Sequence, residues 1–191
     1  MKKFCFALFC LFLGSCVGTS RPVQFYKFKV LEAGEVEPLS HRRISVLVSE
    51  VMLPATLDRP QIVTGSPDRV ELSISETHRW SESLSTLMQR TIAADLEAYL
   101  PQAVIIPSNY SRENFSYKIV VDVSRFEANF NKEALLNADW RILGADRRLL
   151  KRGQVNLAQP AGKNYEELVI AEGQLIAELS HRLASELAAF K

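Results

Sequence analysis

Two stretches of the chain carry apolar residues at every third or fourth position. The first runs from about residue 81 to 100 and the second from about 165 to 190. This spacing places apolar side chains on one face of a helix. We therefore predict two amphipathic helices. The central one should have Ser81 as its N-cap and Pro101 just beyond its end.

Elsewhere apolar and polar positions alternate, which is typical of strands with one buried face. The predicted strands lie at residues 25–31, 44–53, 70–74, 103–106, 115–126, 138–143 and 149–157. Residues 54–67 are rich in proline and are predicted to form a loop. The turn residues at 144–146 predict an antiparallel hairpin between the last two strands. The order of elements indicates an α/β sandwich with a mixed sheet and a long C-terminal helix.

The N-terminal residues have a different pattern. Lys2 and Lys3 are followed by an apolar stretch at residues 4–13, which is too short for a bilayer span of about 20 residues. Two small residues come next and then Cys16. This order is that of a lipobox, and it predicts a lipoprotein signal peptide at residues 1–15. The alternative is an ordinary secretory signal with an incidental cysteine.

Cleavage before Cys16 would leave that residue with a diacylglycerol on its sulfur and an acyl chain, such as palmitate, on its amino group. Several acyl chains anchor a protein stably, whereas one is marginal. Residues 16–22 would then form the lipidated Cys and a short tether, and residues 23–191 a single periplasmic α/β domain. Val17, rather than Asp, follows the cysteine, which favours the outer membrane over the inner one.

The charge balance and the cysteine positions argue against some functions and some sources of stability. The 23 Lys and Arg residues nearly balance the 22 Asp and Glu residues, and two of the lysines leave with the signal peptide. The absence of a basic stripe argues against a nucleic-acid partner. Cys5 and Cys10 also lie in the signal peptide, so the mature domain would have no disulfide. Its stability should therefore come from the hydrophobic core.

Several motifs together resemble one protein family. They are PATLDRPQIV at 54–63, RVEL at 69–72, HRWSESL at 78–84, YKIVVDVSRF at 117–126, ADW at 138–140 and YEELV at 165–169. With them the chain resembles the PqiC/YmbA family of ABC-type transport auxiliary lipoproteins over nearly the whole mature domain. Two positions depart from the family pattern: Thr56, where an aromatic is common, and Ser83, where a proline is common.

The resemblance implies a non-enzymatic role and a three-layer α/β sandwich with a mixed sheet of about five strands. Members of the family work with a membrane-embedded protein and with an MCE-domain protein that crosses the periplasm. The assembly moves lipids between the two membranes and supports envelope integrity. The lipoprotein would be its outer-membrane end, and a homo-oligomer is one possibility. The covalent lipid on Cys16 would be its only non-protein group.

Two segments are candidate contact sites. Leu57, Asp58, Arg59, Pro60 and Gln61 form the first. Polar residues held between prolines lose little entropy on binding, so this segment is a candidate partner-docking loop. The alternative is that Asp58 and Arg59 pair internally or cap a turn, and so fix the shape of the loop.

Arg79 and Trp80 form the second candidate site. Arg and Trp are enriched at interface hot spots. The alternative is that Trp80 packs under the start of the central helix, with Arg79 stacked on a neighbour or paired with a carboxylate.

The sequence gives little support for metal binding or for catalysis. His41, His78 and His181 are scattered, without neighbours at metal-ligand spacing, so no metal site is predicted. A nucleophile elbow and a phosphate-binding loop are both lacking, which makes an envelope hydrolase the weakest hypothesis.

The alternative to a partner-binding subunit is a carrier lipoprotein that holds acyl chains in its own pocket. The basic cluster at 147–152 fits a solvated hairpin better than a lipid-binding site.

Overall fold

The computed structural model describes residues 21–65, 70–108 and 114–190. Cys16, the predicted signal peptide and most of the predicted tether lie outside these residues. The described elements follow one another as β1 (Gln24–Tyr26), β2 (Ser45–Val48), β3 (Gln61–Thr64), β4 (Ser73–Trp80), α1 (Leu84–Tyr99), β5 (Val104–Pro107), β6 (Tyr117–Ala128), β7 (Glu133–Gly144), β8 (Leu149–Pro160) and α2 (Tyr165–Ala189).

The larger sheet has five strands in the order β5-β2-β6-β7-β8. Strand β2 runs parallel to β5 and β6, whereas β7 runs antiparallel to both β6 and β8. Alternate residues of β6 and β7 are buried, which explains their period-two pattern. Arg147, with φ of 63°, lies in the turn between β7 and β8. The antiparallel hairpin predicted around residues 144–146 is therefore present.

A smaller sheet of three strands has the order β1-β4-β3. Strand β1 is parallel to β4, and β3 is antiparallel to it. The end of β3 reaches the larger sheet, where the N–H of Gly65 donates to the carbonyl of Ala128 at 3.2 Å. Side chains from both sheets and both helices share one hydrophobic core. The small sheet therefore extends the fold without forming a separate unit.

The two helices pack against each other and against the larger sheet. Ser83 is the N-cap of α1, and Asn164 is the N-cap of α2. Asn164 Oδ1 accepts from the N–H of Glu167 at 2.9 Å, while the Glu167 carboxylate accepts from the N–H of Lys163 at 2.8 Å. This arrangement resembles a capping box. Among the described residues, neither helix is long and apolar enough to cross a membrane.

The expected fold class is confirmed: the protein is mixed α/β, with a five-stranded mixed sheet, a central helix and a long C-terminal helix. Several local expectations were wrong. Residues 54–67 are not entirely loop, because β3 lies within them. The strand expected at 70–74 instead runs over Ser73–Trp80. Consequently the central helix starts later, with Ser83 and not Ser81 as N-cap, since the N–H of Ser81 still donates to Tyr26 in the sheet at 2.9 Å.

The strand expected at 25–31 is also shorter than predicted, ending at Tyr26. The reason is that the chain turns inward after β1. Phe28 is buried in the core, and the N–H of Leu31 donates to Asp95 Oδ1 on helix α1 at 2.9 Å. These contacts take residues 27–31 away from the sheet and across α1.

Candidate functional site

The loop before β3 is folded tightly by its own backbone. The N–H groups of Leu57 and Asp58 both donate to the carbonyl oxygen of Pro54, at 2.8 and 3.2 Å. The N–H of Arg59 then donates to the carbonyl of Leu57 at 2.8 Å. Leu57 is buried in the core, whereas Asp58 and Pro60 are exposed. One apolar side chain therefore anchors a loop whose other residues reach the surface.

Asp58 has an internal partner. Its Oδ1 accepts a hydrogen bond from the N–H of Ser85 at 3.2 Å, in the first turn of α1. The N-cap Ser83 accepts from the N–H of Thr86 at 3.4 Å. The first N–H groups of a helix have no partner within the helix itself. Asp58 thus supplies a second cap from outside and ties the loop to the start of α1.

The structure brings the two candidate segments together. The N–H of Trp80 donates to the carbonyl of Pro60 at 2.7 Å, and Gln61 is the cross-strand partner of Arg79. The Trp80 side chain is only 3% exposed and packs on Phe28, with the ring centroids 4.9 Å apart. Trp80 is therefore a core residue beneath this surface, while Arg79 lies in the middle strand of the small sheet.

Phe25 belongs to the same surface, and the sequence patterns did not single it out. It pairs with Arg79 across β1 and β4 and is 67% exposed. The row Phe25–Arg79–Gln61 thus crosses all three strands. The signal that could have revealed it was the alternation itself, which puts Phe25 on the opposite face of the strand from Tyr26, which is partly buried. We call Phe25, Arg59, Gln61 and Arg79 the arginine face.

The guanidinium groups of the arginine face, on Arg59 and Arg79, each contain a buried Nε atom that no described residue contacts by a hydrogen bond. Both side chains are half-buried. Arg125 differs, because its Nε and Nη2 atoms both donate to the Glu127 carboxylate at 3.1 Å. The arginine face therefore carries positive charge that the described residues do not neutralise.

His78 lies in an aromatic cluster. Its ring stacks on Tyr165 with centroids 3.8 Å apart, and Tyr26 and Phe130 adjoin these rings. Its Nδ1 lies 3.2 Å from the Ser75 hydroxyl. Burial lowers the pKa of His78, which favours the neutral ring at pH 7. Within residues 21–65, 70–108 and 114–190 there is no group of three or more His, Cys, Asp or Glu residues that could hold a metal ion.

The fold defines a class of protein: a mixed α/β domain with a long C-terminal helix and a small additional sheet. Two solved structures share it. A crystal structure of an uncharacterized protein matches with a TM-score of 0.71 at 20% identity, covering 87% of this chain and 99% of that one. A crystal structure of a Xanthomonas campestris protein matches with a TM-score of 0.68 at 17% identity, covering 87% and 95%. At these identities the likeness establishes the fold alone.

Sequence comparison then identifies the family. Residues 26–184 match the family described as ABC-type transport auxiliary lipoprotein component. The chain belongs to this family, which confirms the resemblance found in its motifs. It is also 21% identical over 189 residues to the intermembrane transport lipoprotein PqiC of Escherichia coli, covering 98% of both chains. PqiC of Shigella flexneri matches with the same identity and coverage.

Proposed function

We propose that this protein is the periplasmic lipoprotein subunit of an MCE-type intermembrane lipid transport system. The family match over residues 26–184 carries the proposal, together with the full-length likeness to relatives named as intermembrane transport lipoproteins. In this role the protein forms the outer-membrane end of the assembly and supports envelope integrity. It acts by binding partner proteins, including the MCE-domain protein, and carries no catalytic step.

The proposed anchor is the lipid on Cys16. An extended chain spans at most about 3.5 Å per residue. Residues 17–23 therefore reach no farther than about 25 Å, and β1 begins directly after them, at Gln24. The arginine face, which includes Phe25 of this strand, is thus held near the periplasmic surface of the membrane. A partner arriving across the periplasm would meet it there.

The arginine face suits protein contact because its geometry is already built. The loop is tied to helix α1 through Asp58 and to β4 through the bond from Trp80 to Pro60. A preorganised surface loses little conformational entropy on binding. Its exposed Phe25 ring and its arginines are residue types that are enriched at protein–protein interfaces. These features favour partner binding over a purely structural role for the loop.

A photocrosslinking experiment in cells tests the proposal. Phe25 is replaced by a photoreactive phenylalanine analogue, which keeps an aromatic ring at an exposed position. Leu149 is the matched control, because it is also apolar and 47% exposed but lies on β8, at the edge of the larger sheet. We expect crosslinks to the MCE-domain protein from position 25 and not from 149. Capture at neither position, with the protein correctly localised, would contradict the proposal.

The anchor has its own test. A Cys16→Ala variant cannot carry the thioether-linked lipid, so we expect it to be lost from the outer-membrane fraction and to fail to restore the envelope permeability barrier in a deletion strain. The unmodified gene should restore it. A deletion strain with normal permeability and unchanged outer-membrane association of the MCE-domain protein would count against the transport role. Phospholipid bound to the purified domain in native mass spectrometry would instead favour the carrier alternative.

A further inference from the structure

We propose that Arg59 and Arg79 form a docking site for a carboxylate of a partner protein. The inference rests on the proposed function, because it names the chemistry by which the partner is bound. The observation that carries it is the pair of buried Nε atoms without hydrogen-bond partners among the described residues. Neither guanidinium group forms an ion pair with a described residue, whereas the half-buried Arg125 is paired with Glu127.

Such unpaired groups are uncommon in folded proteins. Most buried polar atoms have a hydrogen-bond partner, and an unmet donor costs free energy. Among the described residues, six buried side-chain atoms have no hydrogen-bond partner, and two of the six belong to the arginine face. A ligand that accepts hydrogen bonds would supply the missing partners. Binding would then relieve a cost that the isolated protein carries.

The guanidinium group determines what that ligand should be. It presents N–H donors in a planar fork that matches the two oxygens of a carboxylate. Arg79 is placed on the central strand of the small sheet, between Phe25 and Gln61. Arg59 lies in the loop before β3. The next residue, Pro60, accepts a hydrogen bond from the N–H of Trp80, which follows Arg79 in β4. The backbone thus sets the position of both arginines before a partner arrives.

The neighbouring charges favour a protein carboxylate over the phosphates of a membrane surface. Asp58 directly precedes Arg59, and Glu82 follows Arg79 by three residues. These acidic groups do not form ion pairs with Arg59 or Arg79. Asp58 caps helix α1, and Glu82 Oε2 lies 3.4 Å from Arg90 Nη1. They would be repelled by a continuous anionic surface. A single carboxylate brings only one negative charge and so meets less of this repulsion, and Phe25 offers apolar contact beside it.

The test compares three variants of the full mature lipoprotein, purified in detergent, for binding to the purified MCE-domain protein. Arg59→Gln and Arg79→Gln remove the charges of the site. Arg125→Gln is the matched control, because Arg125 is similarly buried but already paired. We expect each site variant to raise the Kd on the order of 30-fold or more, which is the effect of removing one partner of a desolvated charge pair. The control should bind like the wild type.

Thermal unfolding separates a docking role from a structural one. An arginine without an internal partner should be replaceable without loss, so we expect the Tm of Arg79→Gln to equal or exceed that of the wild type. Arg125→Gln should lower the Tm because it breaks an existing ion pair. A lower Tm in Arg79→Gln, comparable to that of the control, would show that Arg79 is structural and would overturn the inference.

The remaining outcomes distinguish the two proposals. Binding by the wild type and equal binding by both site variants would overturn the carboxylate site and leave the transport role intact. No binding by the wild type would overturn both. Nanodiscs containing phosphatidylglycerol provide the last comparison. If a photoreactive residue at position 25 crosslinks to these lipids in the wild type but not in the two site variants, with partner binding unchanged, the arginines would be assigned to lipid phosphate and the protein ligand would be overturned.

Discussion

The indole ring of Trp140 occupies the space that a side chain on Gly153 would fill. The two residues are direct cross-strand partners in β7 and β8. A Cβ atom on Gly153 would collide with the ring atoms Cζ2, Cε2 and Cη2 of Trp140. Trp140 is only 5% exposed and belongs to the core. The glycine thus allows a large aromatic side chain to lie flat on the neighbouring strand, next to the edge of the sheet.

Replacing Gly153 with alanine should destabilise the protein. The added methyl group cannot be accommodated unless the Trp140 ring or strand β8 shifts. Overpacking of this kind typically costs about 1–3 kcal/mol. Chemical denaturation with tryptophan fluorescence would measure the loss. An unfolding midpoint equal to that of the wild type would show that the indole ring can move aside without cost.

Gly173 on helix α2 differs from Gly153, because the structure leaves room for a side chain there. Its nearest neighbouring atom is Phe28 Cδ1, 3.7 Å from the position of an added Cβ, which is an ordinary van der Waals contact. Alanine in a helix interior is favoured over glycine by about 0.5–1 kcal/mol. We therefore expect Gly173→Ala to raise the free energy of unfolding by a similar amount. A decrease would mean that the Phe28 contact is tighter than the geometry indicates.

The cap that Asp58 provides to α1 leads to a third prediction. Asp58→Ala removes the acceptor for the N–H of Ser85 and should cost about 1 kcal/mol, as for other caps. Asp58→Asn keeps an acceptor oxygen at the same place and should lose much less. Equilibrium unfolding of the two variants checks this order. Equal losses would indicate that the negative charge matters more than the hydrogen bond.

Buried Glu172 should make stability depend on pH. Its side chain is 1% exposed, Oε2 lacks a hydrogen-bond partner among the described residues, and burial raises the pKa of its carboxyl well above the usual value. The folded state therefore holds a proton that the unfolded chain releases. The contribution of Glu172 to stability should be greatest below the ordinary pKa of about 4.3 and should fall as the pH rises toward the raised native pKa.

Glu172→Met tests this dependence by replacing the carboxyl with an apolar group of similar shape. We expect the variant to be more stable than the wild type at pH 8 by on the order of 1 kcal/mol, or about 2–4 °C in Tm. The two proteins should differ less at pH 4, because most of the Glu172 carboxyl is then protonated in the unfolded chain as well as in the folded one. Burial also raises the pKa of Asp95, but that residue is common to both proteins. A stability difference independent of pH would contradict the prediction.

The helices and the long hairpins could be predicted from the sequence because their patterns are local. The apolar stripe of α2 repeats every third or fourth residue, and Leu168, Leu175 and Leu183 are all fully buried. The alternation in β6 and β7 likewise matches the buried face of the larger sheet. Each pattern follows from the geometry of one element and needs no knowledge of its neighbours.

Strand β3 could not be predicted in this way. Only Ile62 and Val63 of this strand are apolar, and they lie in a proline-rich segment. What makes the segment a strand is pairing with β4, including the contact between Gln61 and Arg79. The start of α1 was misplaced for the same reason, because hydrogen bonding to Tyr26 keeps Ser81 in the sheet. Both features depend on residues distant in sequence.

The α/β class and the family resemblance could be inferred from the sequence alone, and the lipid attachment at Cys16 is a prediction of the same kind, since each rests on residue types at short, fixed spacings. The roles of the candidate site residues depend instead on how distant parts of the chain pack together. Trp80 is core because Phe28 packs on it, and Asp58 is a cap because the loop reaches Ser85. The unpaired state of Arg79 is likewise a property of its whole surroundings, which no local pattern records.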